Sequence, residues 1–174
     1  GDLIKKIKRP GFLLIGYEFD GAHNHHHPTH YVAAFRHIVD HLRQRGVDNV
    51  AFVWHGTCAG VEKPPEAWYP GDAYVDWFAI SYFDQPPSMM MPMVQLAKTH
   101  QKPFMIAEST PRAGFSTYFG KGSWDGWFKP YFKFVQDNNT AFSNINTFIC
   151  SVNKLNKHIY NIIPYIAGFS EPSH

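Results

Sequence analysis

The chain has 174 residues, enough for about one domain. Its 44% hydrophobic and 17% charged residues exclude an intrinsically disordered chain, and no apolar run reaches the roughly 18 residues of a membrane span. A formal net charge of +2 is too small to single out nucleic acid or a membrane surface as a partner.

Gly1 to Arg9 is basic and amphipathic, the end of a helix before a first strand. Residues 12–18 form an apolar run that reads as a buried strand. Pro28 opens a helix to about Arg45, with Tyr31, Val32, Phe35, Ile38, Val39 and Leu42 on one stripe and Gly46 as its stop. Asn49 to Trp54 predicts a second strand, and Val75 to Tyr82 a third, after a loop in which Asp72 caps a short turn. Pro86 to Gln101 reads as a loop and a helix, in which Met89 to Met91 and Met93 are adaptable filler. Pro103 to Glu108 is a fourth strand, Trp124 to Asn138 a helix, and Ala141 to Asn146 a fifth strand. Strands alternating with helices predict a parallel α/β protein, either an open doubly wound sheet or part of a (β/α)8 barrel. No glycine-rich phosphate loop follows any strand, which leaves the nucleotide-binding open sheet unsupported. The two cysteines, Cys58 and Cys150, make neither a disulfide framework nor a zinc-type pair.

Two glutamates carry the chemistry. Glu18 and Glu108 each stand where an apolar strand runs out, a position that packing explains poorly because a buried acid is costly unless paired. In a parallel barrel the C-terminal strand ends are where active sites are built, and two carboxylates on one face are what glycoside hydrolysis requires. The alternative is a structural ion pair with Arg36 or Arg112. The histidines His23, His25, His26, His27 and His30 allow three readings: no site, substrate-loop contacts, or a metal; without a companion cysteine, no metal is assigned.

The segments Ile15-Gly16-Tyr17-Glu18-Phe19-Asp20-Gly21, Trp54-His55, Trp68-Tyr69-Pro70-Gly71-Asp72-Ala73-Tyr74-Val75-Asp76-Trp77, Ile106-Ala107-Glu108 and Ala141 to Asn146 occur in that order. Together they resemble the second half of a retaining (β/α)8 glycoside hydrolase of the large clan A, nearest to the mannanase-like family 26. The resemblance implies a TIM-barrel relative showing only strands four to eight. It implies Glu18 as acid/base, Glu108 as nucleophile and Tyr82 as the residue that orients the nucleophile. Tyr17, Asp20, Trp54, His55, Trp68 and Arg112 would contact the sugar. No cofactor is implied. The substrate would be a β-linked oligo- or polysaccharide, with β-mannan favoured by the resemblance, and the location extracellular by analogy.

Three departures stand out. Tyr17 replaces the Asn or His that precedes the acid/base in relatives, the resemblance stops after Asn146, and nothing matches strands one to three. Residues 1–146 are therefore expected to form a partial barrel domain, and 147–174 a divergent, partly helical tail. The absence of an initiator Met and of a leader pattern gives the look of a processed or trimmed chain. An open barrel predicts a fragment of a longer chain, a homo-oligomer covering the open face, or a truncated non-catalytic relative that binds sugars or self-associates.

Overall fold

The structure, a computed structural model, describes residues 2–7, 9–58, 63–116 and 120–139. A short helix α1 (Asp2–Ile7) precedes strand β1 (Gly11–Leu14). Helix α2 (Pro28–Gln44), strands β2 (Val50–Gly56) and β3 (Trp77–Tyr82), helix α3 (Met91–Thr99), strand β4 (Phe104–Ser109) and helix α4 (Lys129–Asn139) follow. The four strands are all parallel, in the order β1-β2-β3-β4, and curl into part of a (β/α)8 barrel. The expected fifth strand, Ala141 to Asn146, and the tail 147–174 lie outside the described residues.

Each strand has two apolar faces, as parallel strands covered on both sides require. Trp54, Phe78, Ile80, Tyr82, Phe104 and Ile106 point outward and bury themselves against the helices in the larger core. Val53, Ala79, Met105 and Ala107 form a second, smaller cluster on the concave face, with Trp77 beside it. On β1, Phe12 and Leu14 stay 40% and 37% exposed, so at this edge strand apolar side chains meet solvent.

Helix α2 explains its own burial. Pro28 opens it, where the missing N–H costs nothing. Tyr31, Phe35, Val39 and Leu42 then fall on one buried stripe, while Ile38, expected on that stripe, is 39% exposed. Gly46 stops the helix at φ +69°, and Val47 N–H returns to the Leu42 carbonyl at 3.0 Å.

Between β2 and β3 the described residues form a 3-10 turn, Pro65–Trp68, and no α-helix. Pro64, Pro65 and Pro70 remove three backbone donors from this stretch, too many for a longer helical ladder. Ahead of α4, Trp124–Phe128 forms one wide π turn instead of the first turn of an α-helix. No helix among the described residues is long and apolar enough to cross a membrane.

Candidate active site

Strand β1 ends at Leu14, so Glu18 sits in the loop beyond it. Gly16 and Glu18 both adopt left-handed backbone, at φ +56° and +51°. For glutamate that conformation costs about 1–2 kcal/mol and must be held by its surroundings. The Glu18 carbonyl accepts from Gly21 N–H at 2.8 Å and from Asn24 Nδ2 at 3.0 Å. Phe19 N–H donates to the His55 carbonyl at 3.0 Å, tying the loop to the end of β2. The left-handed turn divides two neighbours: Phe19 stacks on Trp54 in the outer core, and Glu18 joins His55 and Ser81 in a hydrogen-bonded group.

There Ser81 Oγ donates to Glu18 Oε1 at 2.6 Å, and His23 Nε2 lies 3.1 Å from Glu18 Oε2. Behind Ser81, His55 Nε2 is 2.9 Å from the same hydroxyl. His55 is fully buried, and desolvation pulls its pKa down to about 4.

Glu108 reaches this group through an irregularity. Ile80 pairs with Ile106, but the next residue, Ser81, pairs with Glu108, so β4 carries an extra residue, Ala107. Regular alternation would put Glu108 on the outer face with Ile106. The bulge instead aligns it with Ser81, the residue already bonded to Glu18. Ladder partners on neighbouring strands share a face about 4.8 Å apart. Burial and then the Glu18 charge both push the Glu108 carboxyl above its ordinary value, which places the two carboxylates within electrostatic reach.

The other expected site residues divide. Tyr17 is 51% exposed beside Glu18. His55 touches the site through Ser81 rather than as an open wall. Tyr82 is not brought to Glu108. Next to Ser81 on the strand it faces outward, with its ring against Trp127, Tyr131 and Phe134, and burial raises its phenol to about 12. Trp54 is sandwiched among Phe19, Phe78 and Tyr69, and Trp68 lies against Phe19 and Tyr31, so both indoles belong to the helix layer. Asp20 is half-buried and accepts from Thr57 N–H at 2.5 Å and Cys58 N–H at 3.0 Å. Burial raises its pKa against the opposing effect of those two bonds. Arg112 lies exposed over the Phe83 ring, and its backbone N–H donates to Asp84. Arg36 bonds the Pro70 carbonyl at 2.7 Å, so the ion pairs offered as alternatives, with Arg36 or Arg112, are replaced by these contacts.

Sequence reasoning missed Ser81 and did not separate His23 from its histidine neighbours. A serine inside an otherwise apolar strand was the available signal for the first. His25, His26, His27 and His30 line a groove of about 340 Å³ with Tyr31 and Ile38. Among the described residues, no three histidine, cysteine or acidic side chains converge on a point that could hold a metal.

The sequence profile of glycosyl hydrolase family 26 matches residues 17–163. The beta-1,3-xylanase TXYA of Vibrio sp. is 34% identical over 166 residues, covering 81% of this chain and 36% of that enzyme. A beta-1,3-xylanase of Alcaligenes sp. is 32% identical, covering 81% of this chain and 35% of that enzyme. The chain thus spans about a third of the length of these two relatives. Among solved structures, an endo-beta-1,4-mannanase double mutant of Cellulomonas fimi superposes with a TM-score of 0.65 at 18% identity, over 91% of this chain and 40% of that one. The catalytic domain of the endo-beta-1,4-mannanase of Bacillus sp. JAMB-750 gives 0.60 at 20% identity, over 76% and 39%. At those identities the structures speak for the barrel fold, and the sequence match speaks for the family: this chain belongs to glycosyl hydrolase family 26.

Proposed function

We propose that this chain carries the two catalytic carboxylates of a retaining β-glycan hydrolase. The observation behind this reading is that Glu18 and Glu108, 90 positions apart, meet around Ser81 at the C-terminal ends of their strands, close enough for one charge to shift the other. Retention needs such a pair about 5–5.5 Å apart. Glu18 gives its proton to the glycosidic oxygen as the bond to the anomeric carbon breaks. The Glu108 carboxylate forms a bond to that carbon. In the second half, Glu18 takes a proton from water, whose oxygen attacks the anomeric carbon and releases Glu108.

For the substrate, the β-mannan expectation is replaced in this proposal by β-1,3-xylan. The xylanase relatives share 32–34% of their residues with this chain over most of its length, against 18–20% for the mannanase structures. Tyr17, exposed beside Glu18, is the aromatic ring best placed to meet a sugar.

The test is trapping by activated 2-fluoro xylosides and mannosides, read by intact mass and peptide mapping. An adduct on Glu108 that disappears in Glu108→Gln supports the reading. A folded protein that gains no adduct from either sugar refutes it, and sugar binding without an adduct would make the chain a non-catalytic relative.

A further inference from the structure

The reading of Glu18 as acid/base leaves open which of its oxygens carries the proton and what covers that oxygen at rest. We propose that Ser81, backed by His55, is a positioning residue that makes Oε2 the proton-bearing oxygen of Glu18. His23, in a seat kept clear by Gly21, occupies Oε2 until a sugar oxygen replaces it. The proposal rests on the assignment of Glu18 as acid/base.

The direction of the hydrogen-bond chain follows from one orphan atom. His55 Nδ1 is buried and has no hydrogen-bond partner among the described residues. If that atom carried the ring proton, a donor would be buried unmet, the rarer and costlier defect; a bare lone pair there is better tolerated. The proton therefore sits on Nε2, which donates to Ser81 Oγ, and the single Ser81 hydroxyl proton goes on to Glu18 Oε1. Oε1 is committed as an acceptor, and Oε2 is left to hold the proton.

On Oε2 lies the His23 imidazole, on an exposed side chain carried by the 3-10 turn Ala22–Asn24. Asn24 Nδ2 fixes that turn to the Tyr17 and Glu18 carbonyls, both at 3.0 Å, so the loop that shapes Glu18 also delivers His23. A Cβ on Gly21 would stand 2.5 Å from His23 Cε1 and 2.9 Å from Nδ1. Gly21 has ordinary extended backbone, φ −72° and ψ 125°, which alanine also adopts, so Gly21→Ala crowds the imidazole most, with the Glu18 carbonyl oxygen, 3.1 Å from the added Cβ, as the next contact. The groups facing the Glu18 carboxyl are His23 from this turn, Ser81 from β3 with His55 behind it, and Glu108 from β4.

The test titrates the whole chain calorimetrically with a β-1,3-linked xylo-oligosaccharide and a β-1,4-linked manno-oligosaccharide. His23→Ala, which frees Oε2, is expected to bind about 2- to 5-fold more tightly than wild type, the worth of a partly exposed contact that a sugar must displace. Gly21→Ala, which crowds the imidazole off that seat, should show a gain of the same size. Affinity unchanged in both variants overturns the role of His23. Independently of any sugar, long-range proton–nitrogen spectra should show His55 as the Nε2–H tautomer, and Glu18→Gln should shift the His23 ring signals. Ser81→Ala should perturb the His55 signals and Ser81→Thr restore them; an Nδ1–H tautomer overturns the positioning role. The underlying reading fails separately. Glu18→Ala that cleaves poor leaving groups as fast as wild type, or the absence of any sugar binding, sinks the acid/base assignment while the spectra still judge the hydrogen-bond arrangement.

Discussion

Asp20 follows Glu18 by two positions and was expected to touch sugar, but its geometry makes it a brace. Its carboxylate holds two consecutive backbone N–H groups, Thr57 at 2.5 Å and Cys58 at 3.0 Å, both on buried residues. Cys58 is itself left-handed, at φ +55°, a conformation that costs a non-glycine residue about 1–2 kcal/mol and persists only while its neighbours enforce it. Replacing the carboxylate by a methyl group leaves two buried donors without this acceptor, at about 1–3 kcal/mol each. Asp20 is half-buried, so water replaces part of the loss, and Asp20→Ala should destabilise the fold by about 2–4 kcal/mol. Asp20→Asn, which keeps one acceptor oxygen, should fall about midway. Urea unfolding followed by tryptophan emission, with the slope unchanged, measures both. A change under about 0.5 kcal/mol, the scale of an unengaged surface site, together with lost sugar affinity, would refute the brace and return Asp20 to the binding surface.

His55 ties stability to pH. Because burial lowers its pKa from 6.5 to about 4, the unfolded chain binds the proton more readily than the folded one between those values. Stability should therefore be intact above pH 6.5 and fall as pH drops toward 4, by about 3 kcal/mol at most. His55→Gln should flatten that acid limb in pH-dependent denaturant midpoints; an unchanged limb would place its origin elsewhere. Trp54→Ala should cost about 3–5 kcal/mol in thermal unfolding while the protein still folded binds sugar unaltered, since the ring is packed on Phe19 and Phe78. A stable variant that no longer binds sugar would make Trp54 a sugar platform after all. Gly16→Ala should destabilise by about 1–2 kcal/mol from backbone strain alone, because Gly16 is left-handed and an added Cβ would also sit 2.9 Å from the Tyr31 ring. Thermal stability equal to wild type would show that the loop before Glu18 tolerates another path.

The elements of this protein are legible in its sequence because their causes are local. The α2 stripe, the proline at its start and the glycine at its end act over a few residues, and four strands appear where apolar runs meet turn residues. Glu18 and Glu108 stand out for the same reason, as acids ending apolar runs. Strand ends were less legible. β1 stops at Leu14 because Gly16 turns left-handed, and β2 runs on through His55 to Gly56.

Which way a side chain faces is decided by tertiary structure. The family resemblance makes Tyr82 a partner for Glu108, yet strand alternation points it at α4 and gives the inner place to Ser81. Trp54 and Trp68 were expected from the resemblance to contact the sugar, yet both fill the helix layer. Unbroken alternation would have turned Glu108 away from Glu18, and a one-residue bulge in β4, set by pairing with β3, restored it. Sequence by itself determined the parallel α/β pattern and the two acids, because periodicity and capping are written over short stretches of chain. Only the folded sheet decided that Ser81 bonds one acid and pairs along the ladder with the other, because register and bulges depend on strands that meet across long separations in sequence.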